Sequence, residues 1–158
     1  MTNKERIKKL RDNAELAMAS YGYFHLVGKK FHKKSKTRQK DTITQTDILD
    51  LTYNKYIAVE SNPHKPDDEI KVGKLDGDFT PNQTQRFFSR YDLLIHQPNT
   101  ESGFSATLFQ NKESKEYTLA IRGTEFKLEQ IKDLINDYYI GTNNDSNRKT
   151  ASKKKESY

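Results

Sequence analysis

Apolar residues in the first part of the chain recur with the period of an α-helix. Thr2 and Glu5 have the spacing of a capping box, in which each side chain accepts a backbone hydrogen bond. A stripe of apolar residues follows at intervals of three and four: Ile7, Leu10, Ala14, Ala17, Tyr21 and Phe24. The pattern predicts an N-terminal amphipathic helix over residues 1–28, with this stripe packed in the core. A helix lying on a membrane surface is the alternative, because lysine and arginine crowd its other side.

Residues 80–141 have a second well-defined pattern. Thr80 followed by Pro81 is typical of a helix start, and a buried strand fits Asp92–Gln97. Two alternating runs, Phe104–Gln110 and Glu116–Arg122, predict a β-hairpin.

The pattern after the hairpin predicts one more helix. Its apolar positions have helical spacing: Leu128, Ile131, Leu134, Ile135 and Tyr138. Gly141 is placed to cap this helix, and residues 142–158, which lack large apolar side chains until the final tyrosine, are expected to form a disordered basic tail.

The middle of the chain, residues 29–79, is interpreted as a basic and then acidic loop-rich region. Eight basic residues crowd Lys29–Lys40. A short helix is predicted over Thr44–Tyr56, with Asp47 at a capping-box position and Ile48 and Leu51 facing inward. Proline, glycine and acidic residues make 62–78 a predicted loop.

Composition limits the chemistry available to the chain. Its 158 residues suggest one domain, and a hydrophobic content of 32% supports only a small core. The absence of cysteine excludes disulfides, thiolate metal sites and a cysteine nucleophile. The four histidines have no helical i, i+4 spacing and the seven glycines are dispersed, so no metal and no cofactor are predicted.

Charge is distributed unevenly along the chain. Residues 1–40 contain 12 Lys/Arg against 3 Asp/Glu, while residues 41–141 contain 11 against 17. Weak, non-specific binding of polyanions or anionic membranes is therefore expected through residues 4–40 and 148–155. With no apolar span and no signal peptide visible, the expected location is that of a cytoplasmic or leaderless-secreted bacterial protein.

The junction after the hairpin resembles a known family. Tyr117–Glu125 reads YTLAIRGTE, a strand ending in Arg-Gly-Thr, and a D-L-x-x-D helix follows. This junction resembles that of class 3 lipases in the α/β-hydrolase superfamily. Residues 80–141 look like bacterial phospholipase A1-type members, and residues 13–24 are similar to their opening helix. The resemblance implies an incomplete α/β-hydrolase fold with early strands of a mostly parallel sheet.

The family's reaction assigns expected roles to several residues. Class 3 lipases hydrolyse carboxylic esters with a Ser–Asp–His triad, and amide donors stabilise the tetrahedral oxyanion. The resemblance implies that Thr124 supplies one such donor through its backbone N–H and that Gly123 lets the backbone turn sharply. Asp133 and Asp137 match the family's helix acids, and Leu134 stands where tryptophan is common. A plain strand-to-helix turn capped by Thr124 is the alternative interpretation.

The nucleophile elbow G-x-S-x-G occurs nowhere in the sequence. We therefore expect a truncated or split class 3 lipase-like, phospholipase A1-like ester hydrolase that is inactive alone. Its partner would be a second polypeptide carrying the triad, and its substrate, once completed, an ester lipid. Arg122 is interpreted as structural.

The alternative to a hydrolase fragment is a small non-enzymatic basic protein that binds acidic surfaces, membrane or nucleic acid.

Overall fold

The computed structural model describes residues 1–33, 41–123 and 128–155; for Leu128 and residues 143–155 it describes the helical backbone. Within these ranges the chain is a mixed α/β protein. Its α-helices are α1 (Asn3–Ala19), α2 (Gln45–Leu49), α3 (Pro81–Arg90) and α4 (Leu128–Lys155). Its strands are β1 (Lys30–Phe31), β2 (Ile57–Asn62), β3 (Lys65–Lys74), β4 (Tyr91–Gln97), β5 (Ser105–Asn111) and β6 (Tyr117–Arg122).

The strands form two separate three-stranded sheets, with orders β1–β2–β3 and β4–β5–β6. All neighbouring strands are antiparallel. The predicted α/β class is thus confirmed, whereas the mostly parallel sheet implied by the resemblance is not seen in the described residues. The connections between β2 and β3, β4 and β5, and β5 and β6 are too short for the helical crossover that a parallel pair requires.

The predicted β-hairpin is confirmed. β5 pairs with β6 in regular register, with Leu108 opposite Leu119 and Ala106 opposite Ile121. The Asn111 side chain closes the turn by accepting hydrogen bonds from the backbone N–H groups of Glu113 and Ser114. Local turn chemistry and alternating side chains are both sequence-encoded, which is why the pattern identified this unit.

The predicted loop over residues 62–78 is wrong, because most of it is strand β3. β3 lies at the edge of its sheet and pairs only with β2 among the described residues. Its side chains are mostly polar and solvent-facing, so the alternation that marks a half-buried strand is missing. Two irregularities in the β2–β3 register weaken the pattern further.

Helix starts agree with the sequence prediction. The α1 capping box is present, with the Thr2 N–H donating to Glu5 Oε2 at 2.6 Å. The α3 start is confirmed, since the Gln83 N–H donates to Thr80 Oγ1 at 3.2 Å. The Thr44–Asp47 capping box is also present, but α2 ends at Leu49 rather than Tyr56, and Leu51 is exposed rather than inward-facing.

The buried face of α1 is not the predicted one. Leu16 and Ala19 face the core, whereas Ile7 and Leu10 are 68% and 71% exposed. Of the predicted stripe, Phe24 is buried, but it lies in a 3-10 turn after the helix. The orientation of α1 is held by an ion pair from Arg90 Nη2 on α3 to Asp12 Oδ2, at 2.9 Å.

Helix α4 continues past the predicted cap at Gly141. Gly141 does not adopt the positive φ that a glycine cap uses. The Thr142 hydroxyl lies 3.1 Å from the carbonyl oxygens of both Tyr138 and Tyr139, and the helical backbone continues beyond it. The structure therefore has helix through Lys155 where the sequence predicted a disordered tail.

The main core lies between α1, α2, α3 and the two sheets. Phe87 on α3 is fully buried and its ring meets those of Phe79, Tyr91 and Phe109. A smaller cluster forms where Leu134 of α4 packs against the opposite face of the second sheet. None of the described helices combines the length and apolar character that spanning a membrane requires.

Candidate functional site

The C-terminal ends of β4 and β6 lie at the same end of the second sheet, because both strands run antiparallel to the central strand β5. His96 is near the end of β4, and Arg122 ends β6. Ser105, at the start of β5, lies opposite Arg122 in the register. After Arg122 the chain continues into Gly123, where the resemblance places the oxyanion loop.

Gly123 occupies a backbone position that only glycine suits. Its φ is +133°, and a Cβ built there would lie 2.6 Å from the carbonyl oxygen of Gly103. Gly123 therefore follows β6 with a backbone conformation and a close approach that leave no room for a side chain. Its part in an oxyanion site stays a prediction, and Thr124 lies outside the described residues.

The α4 residues that match the family's helix motif differ in burial. Leu134 is buried against Phe104 and Ala106 of the second sheet. Asp133 and Asp137 are exposed on α4, and no hydrogen bond or ion pair joins either of them to another described residue. The helix–sheet packing thus depends on Leu134, while the two carboxylates remain accessible.

A small cavity of about 160 Å³ opens at this end of the sheet, beside the last residues of β4 and β6. Its polar lining comes from His25, His96, Asn99, Ser105 and Arg122. The two histidines are far apart in the sequence and have no metal-like spacing, so the sequence analysis missed this cluster. Only the packing of the 3-10 turn Phe24–Leu26 beside β4 brings the imidazoles together.

Arg122 is held rigidly beside this cavity. Its Nη1 donates to the carbonyl oxygen of Tyr21 at 3.3 Å. The guanidinium carbon lies 5.1 Å from the Tyr21 ring centroid and 5.9 Å from that of Tyr23, within reach of cation–π attraction. The contacts support the structural interpretation of Arg122, and they also fix a positive charge at the cavity.

His96 has two aromatic neighbours and a hydrogen-bond partner at one ring nitrogen. Its ring stacks on that of His25, with centroids 6.3 Å apart and planes 11° from parallel, and meets Phe24 edge-on. Its Nδ1 lies 2.8 Å from Thr107 Oγ1. Burial, with smaller effects of the His25 and Arg122 charges, lowers the pKa of His96 to about 4. His96 is therefore neutral at pH 7.

No protein-family model, curated protein or solved structure matches this chain. Among the described residues no three His, Asp or Glu side chains cluster as metal ligands would. Ser105 donates its hydroxyl to the carbonyl oxygen of Gln97 at 2.8 Å, so its proton is already engaged.

A larger cavity of about 510 Å³ lies on the other side of the 3-10 turn. It shares Tyr23 and His25 with the small cavity, and Lys55, Lys74 and Asp76 add charges of both signs. Desolvation, and then the Lys29 charge, lower the pKa of His25. The small cavity is thus the site where neutral imidazoles and a fixed guanidinium converge without a described carboxylate.

Proposed function

We propose that this chain is the N-terminal portion of a class 3 lipase-like, phospholipase A1-like carboxylic-ester hydrolase, with the triad supplied by a second polypeptide. The observation that carries the proposal is the order of elements after α3: a strand, the β5–β6 hairpin, the glycine turn at Gly123 and helix α4. The resemblance implies the same order around its Arg-Gly-Thr motif.

The free edge of β6 supports this proposal. β5 covers one side of β6, and no described strand pairs with the other side. Large apolar side chains are exposed on the strand itself, at Tyr117 and Ile121. A strand added along β6 would pair its open N–H and C=O groups and cover part of this apolar surface.

We expect the isolated chain to show no ester hydrolysis above background. An oxyanion donor without a nucleophile and base has nothing to stabilise, because no tetrahedral intermediate forms. The assay would use p-nitrophenyl butyrate and phosphatidylcholine with purified protein. Turnover that disappears when any one serine of the chain is changed to alanine would contradict the expectation.

Complementation tests the proposal directly. The DNA downstream of codon 158 would be read in all frames for G-x-S-x-G, and the encoded segment co-expressed with the chain. We expect a stable complex and measurable esterase activity. Ile121→Lys on β6 should prevent complex formation because it places a charge on the proposed interface. Ile70→Lys on the free edge of β3 is the matched control and should not interfere.

Two results would refute the hydrolase proposal. One is downstream DNA that lacks the motif in every frame. The other is a co-expressed segment that carries the motif but neither binds the chain nor produces esterase activity.

A second candidate function is binding to an anionic membrane surface, and the exposed face of α1 favours it. We define the outward stripe as Ile7, Leu10, Ala14, Ala17 and Met18, which share one side of α1 and are exposed. Helix geometry places Lys4 and Arg11 along one margin and Arg6 along the other. Apolar side chains bordered by cations suit the interface of an anionic bilayer.

Two of the three acidic side chains of α1 lie away from the outward stripe. Glu5 accepts the N-cap hydrogen bonds of Thr2, and Asp12 pairs with Arg90. The Arg90 hydrogen bond is the largest influence that lowers the pKa of Asp12. The third, Glu15, lies beside the margin formed by Lys4 and Arg11. Lys4, Arg6 and Arg11 thus outnumber the single acid beside the stripe, and this net positive charge attracts anionic lipid.

Vesicle co-sedimentation tests the membrane candidate. We expect binding to vesicles of equal phosphatidylcholine and phosphatidylglycerol, and little binding to phosphatidylcholine alone. Ile7→Ser with Leu10→Ser should weaken binding at least about tenfold, because two apolar side chains no longer enter the interface. Ile70→Ser with Ile140→Ser removes exposed apolar groups elsewhere and should have little effect.

The salt dependence of the affinity, measured with and without the Ile7/Leu10 change, distinguishes membrane binding from simple polyanion binding. Residues 34–40 and the side chains of 148–155, predicted to take part in such binding, lie outside what the structure describes. Affinity that falls with salt but ignores the Ile7/Leu10 change would overturn the membrane candidate and leave only electrostatic binding.

A further inference from the structure

The small strand-end cavity is lined by hydrogen-bond donors and a fixed positive charge. Within residues 1–33, 41–123 and 128–142, no carboxylate lines the cavity and none pairs with Arg122. A guanidinium has five N–H donors, and only one of those on Arg122 is used by a described contact, to the Tyr21 carbonyl. The remaining donors can serve an anion in the cavity.

The Thr107 contact assigns the tautomer of His96. Thr107 is fully buried on β5, and His96 Nδ1 is its hydroxyl's described partner, at 2.8 Å. If Nδ1 carried the proton, the Thr107 O–H would be left without a described acceptor, which is costly for a buried hydroxyl. Nδ1 therefore accepts, and Nε2–H becomes the ring's remaining donor.

The cavity's size restricts the ligand. Its volume of about 160 Å³ is several times the ~30 Å³ that one water occupies in the liquid. It therefore accommodates a small oxyanion but not an acyl chain. Arg122 ends β6, the His25 and His96 rings stack against each other, and Asn99 lies in the loop after β4, so the donors come from separate elements.

We propose that this cavity binds a phosphate group, held by the Arg122 guanidinium, the ring N–H groups of His25 and His96, and the Asn99 amide. Several donors from different directions suit a tetrahedral oxyanion better than a planar carboxylate. The site requires neither the missing triad nor membrane binding, so it stands independently of both proposed functions.

Binding should be coupled to protonation of the histidines. The groups that face His96 are His25, Arg122 and the Thr107 hydroxyl, and Lys29 acts on His25. A bound anion favours the imidazolium form, so phosphate should raise the pKa of His96 from its depressed value. The pH titration of the His96 ring signals should therefore move to higher pH when phosphate is added.

The test is titration of the intact chain with inorganic phosphate, followed by NMR of the histidine ring protons and by calorimetry. We expect saturable binding that shifts the His25 and His96 signals. Arg122→Gln should weaken binding at least about tenfold, since it removes a charged donor. Arg86→Gln, which removes the same charge from an exposed position on α3, should bind as the unchanged protein does.

Asn99→Ala keeps the proposal testable if the Arg122 variant does not fold. Asn99 is in an exposed loop, and its loss should weaken binding about fivefold without unfolding the chain. Equal affinity for phosphate and glycerol 3-phosphate would indicate free phosphate as the source. Tighter binding of glycerol 3-phosphate would indicate a phosphate ester such as a lipid headgroup.

Three results would overturn the phosphate site. The first is the absence of saturation at millimolar phosphate. The second is unchanged affinity in both the Arg122 and Asn99 variants. The third is acetate binding as tightly as phosphate, which would show that the cavity does not select a tetrahedral anion.

Discussion

Replacing Phe87 with alanine is expected to lower the free energy of unfolding by about 4 kcal/mol. Phe87 is 0% exposed, and its ring lies 5.7 Å from that of Phe79, 5.0 Å from that of Tyr91 and 5.5 Å from that of Phe109. Truncation removes the transfer free energy of the ring and leaves a cavity that the surrounding rings cannot fill. Urea unfolding followed by circular dichroism measures the loss.

The matched control is Tyr139→Ala, which removes a half-exposed aromatic ring from α4. It should change the free energy of unfolding by less than about 0.5 kcal/mol. Phe87→Leu should fall between the two, because most of the buried volume remains. A Phe87→Ala loss below about 1 kcal/mol would contradict the placement of Phe87 at the centre of the main core.

The second large effect is expected at Gly123, where alanine should cost about 3 kcal/mol of unfolding free energy. Two causes add at this position. A φ of +133° is unfavourable for any residue with a Cβ, and that Cβ would lie 2.6 Å from the carbonyl oxygen of Gly103. Because the contact is with backbone, relief requires the strand ends to move apart. The same denaturant titration reports the loss.

Gly28→Ala isolates the conformational part of this cost. Gly28 also has a positive φ, +86°, but a Cβ there would meet no atom within 4 Å. We expect a loss of about 1 kcal/mol from backbone strain alone. Equal losses at Gly28 and Gly123 would show that the close approach between Gly123 and Gly103 does not exist in solution.

Residues in and around the small strand-end cavity differ in how much the sequence alone could indicate about them. Gly123 was identifiable because a glycine between a strand and a helix implies a turn. Arg122 contacts the Tyr21 carbonyl across 101 sequence positions, and no local pattern connects the two. His25 and His96 each resemble an isolated core or surface histidine until the fold stacks their rings.

Features that depend on contacts within a few residues can be predicted from the amino-acid sequence alone. The Thr2–Glu5 and Thr44–Asp47 capping boxes, the Thr80–Pro81 helix start and the β5–β6 hairpin are of this kind. Each is stabilised by hydrogen bonds or alternation that the chain satisfies locally, whatever surrounds it. The α/β class follows from the sum of these elements.

Which surfaces are covered depends instead on contacts between residues that are far apart in the sequence. Helix α1 has two faces that can pack, and the periodic pattern favoured the outward stripe over Leu16 and Ala19. The Asp12–Arg90 ion pair joins residues 78 positions apart and turns the other face inward. Strand β3 likewise forms by pairing with β2 through its backbone, a non-local interaction that its polar side chains do not encode. Periodicity identifies an apolar face, but the residues that cover this face lie far away in the sequence.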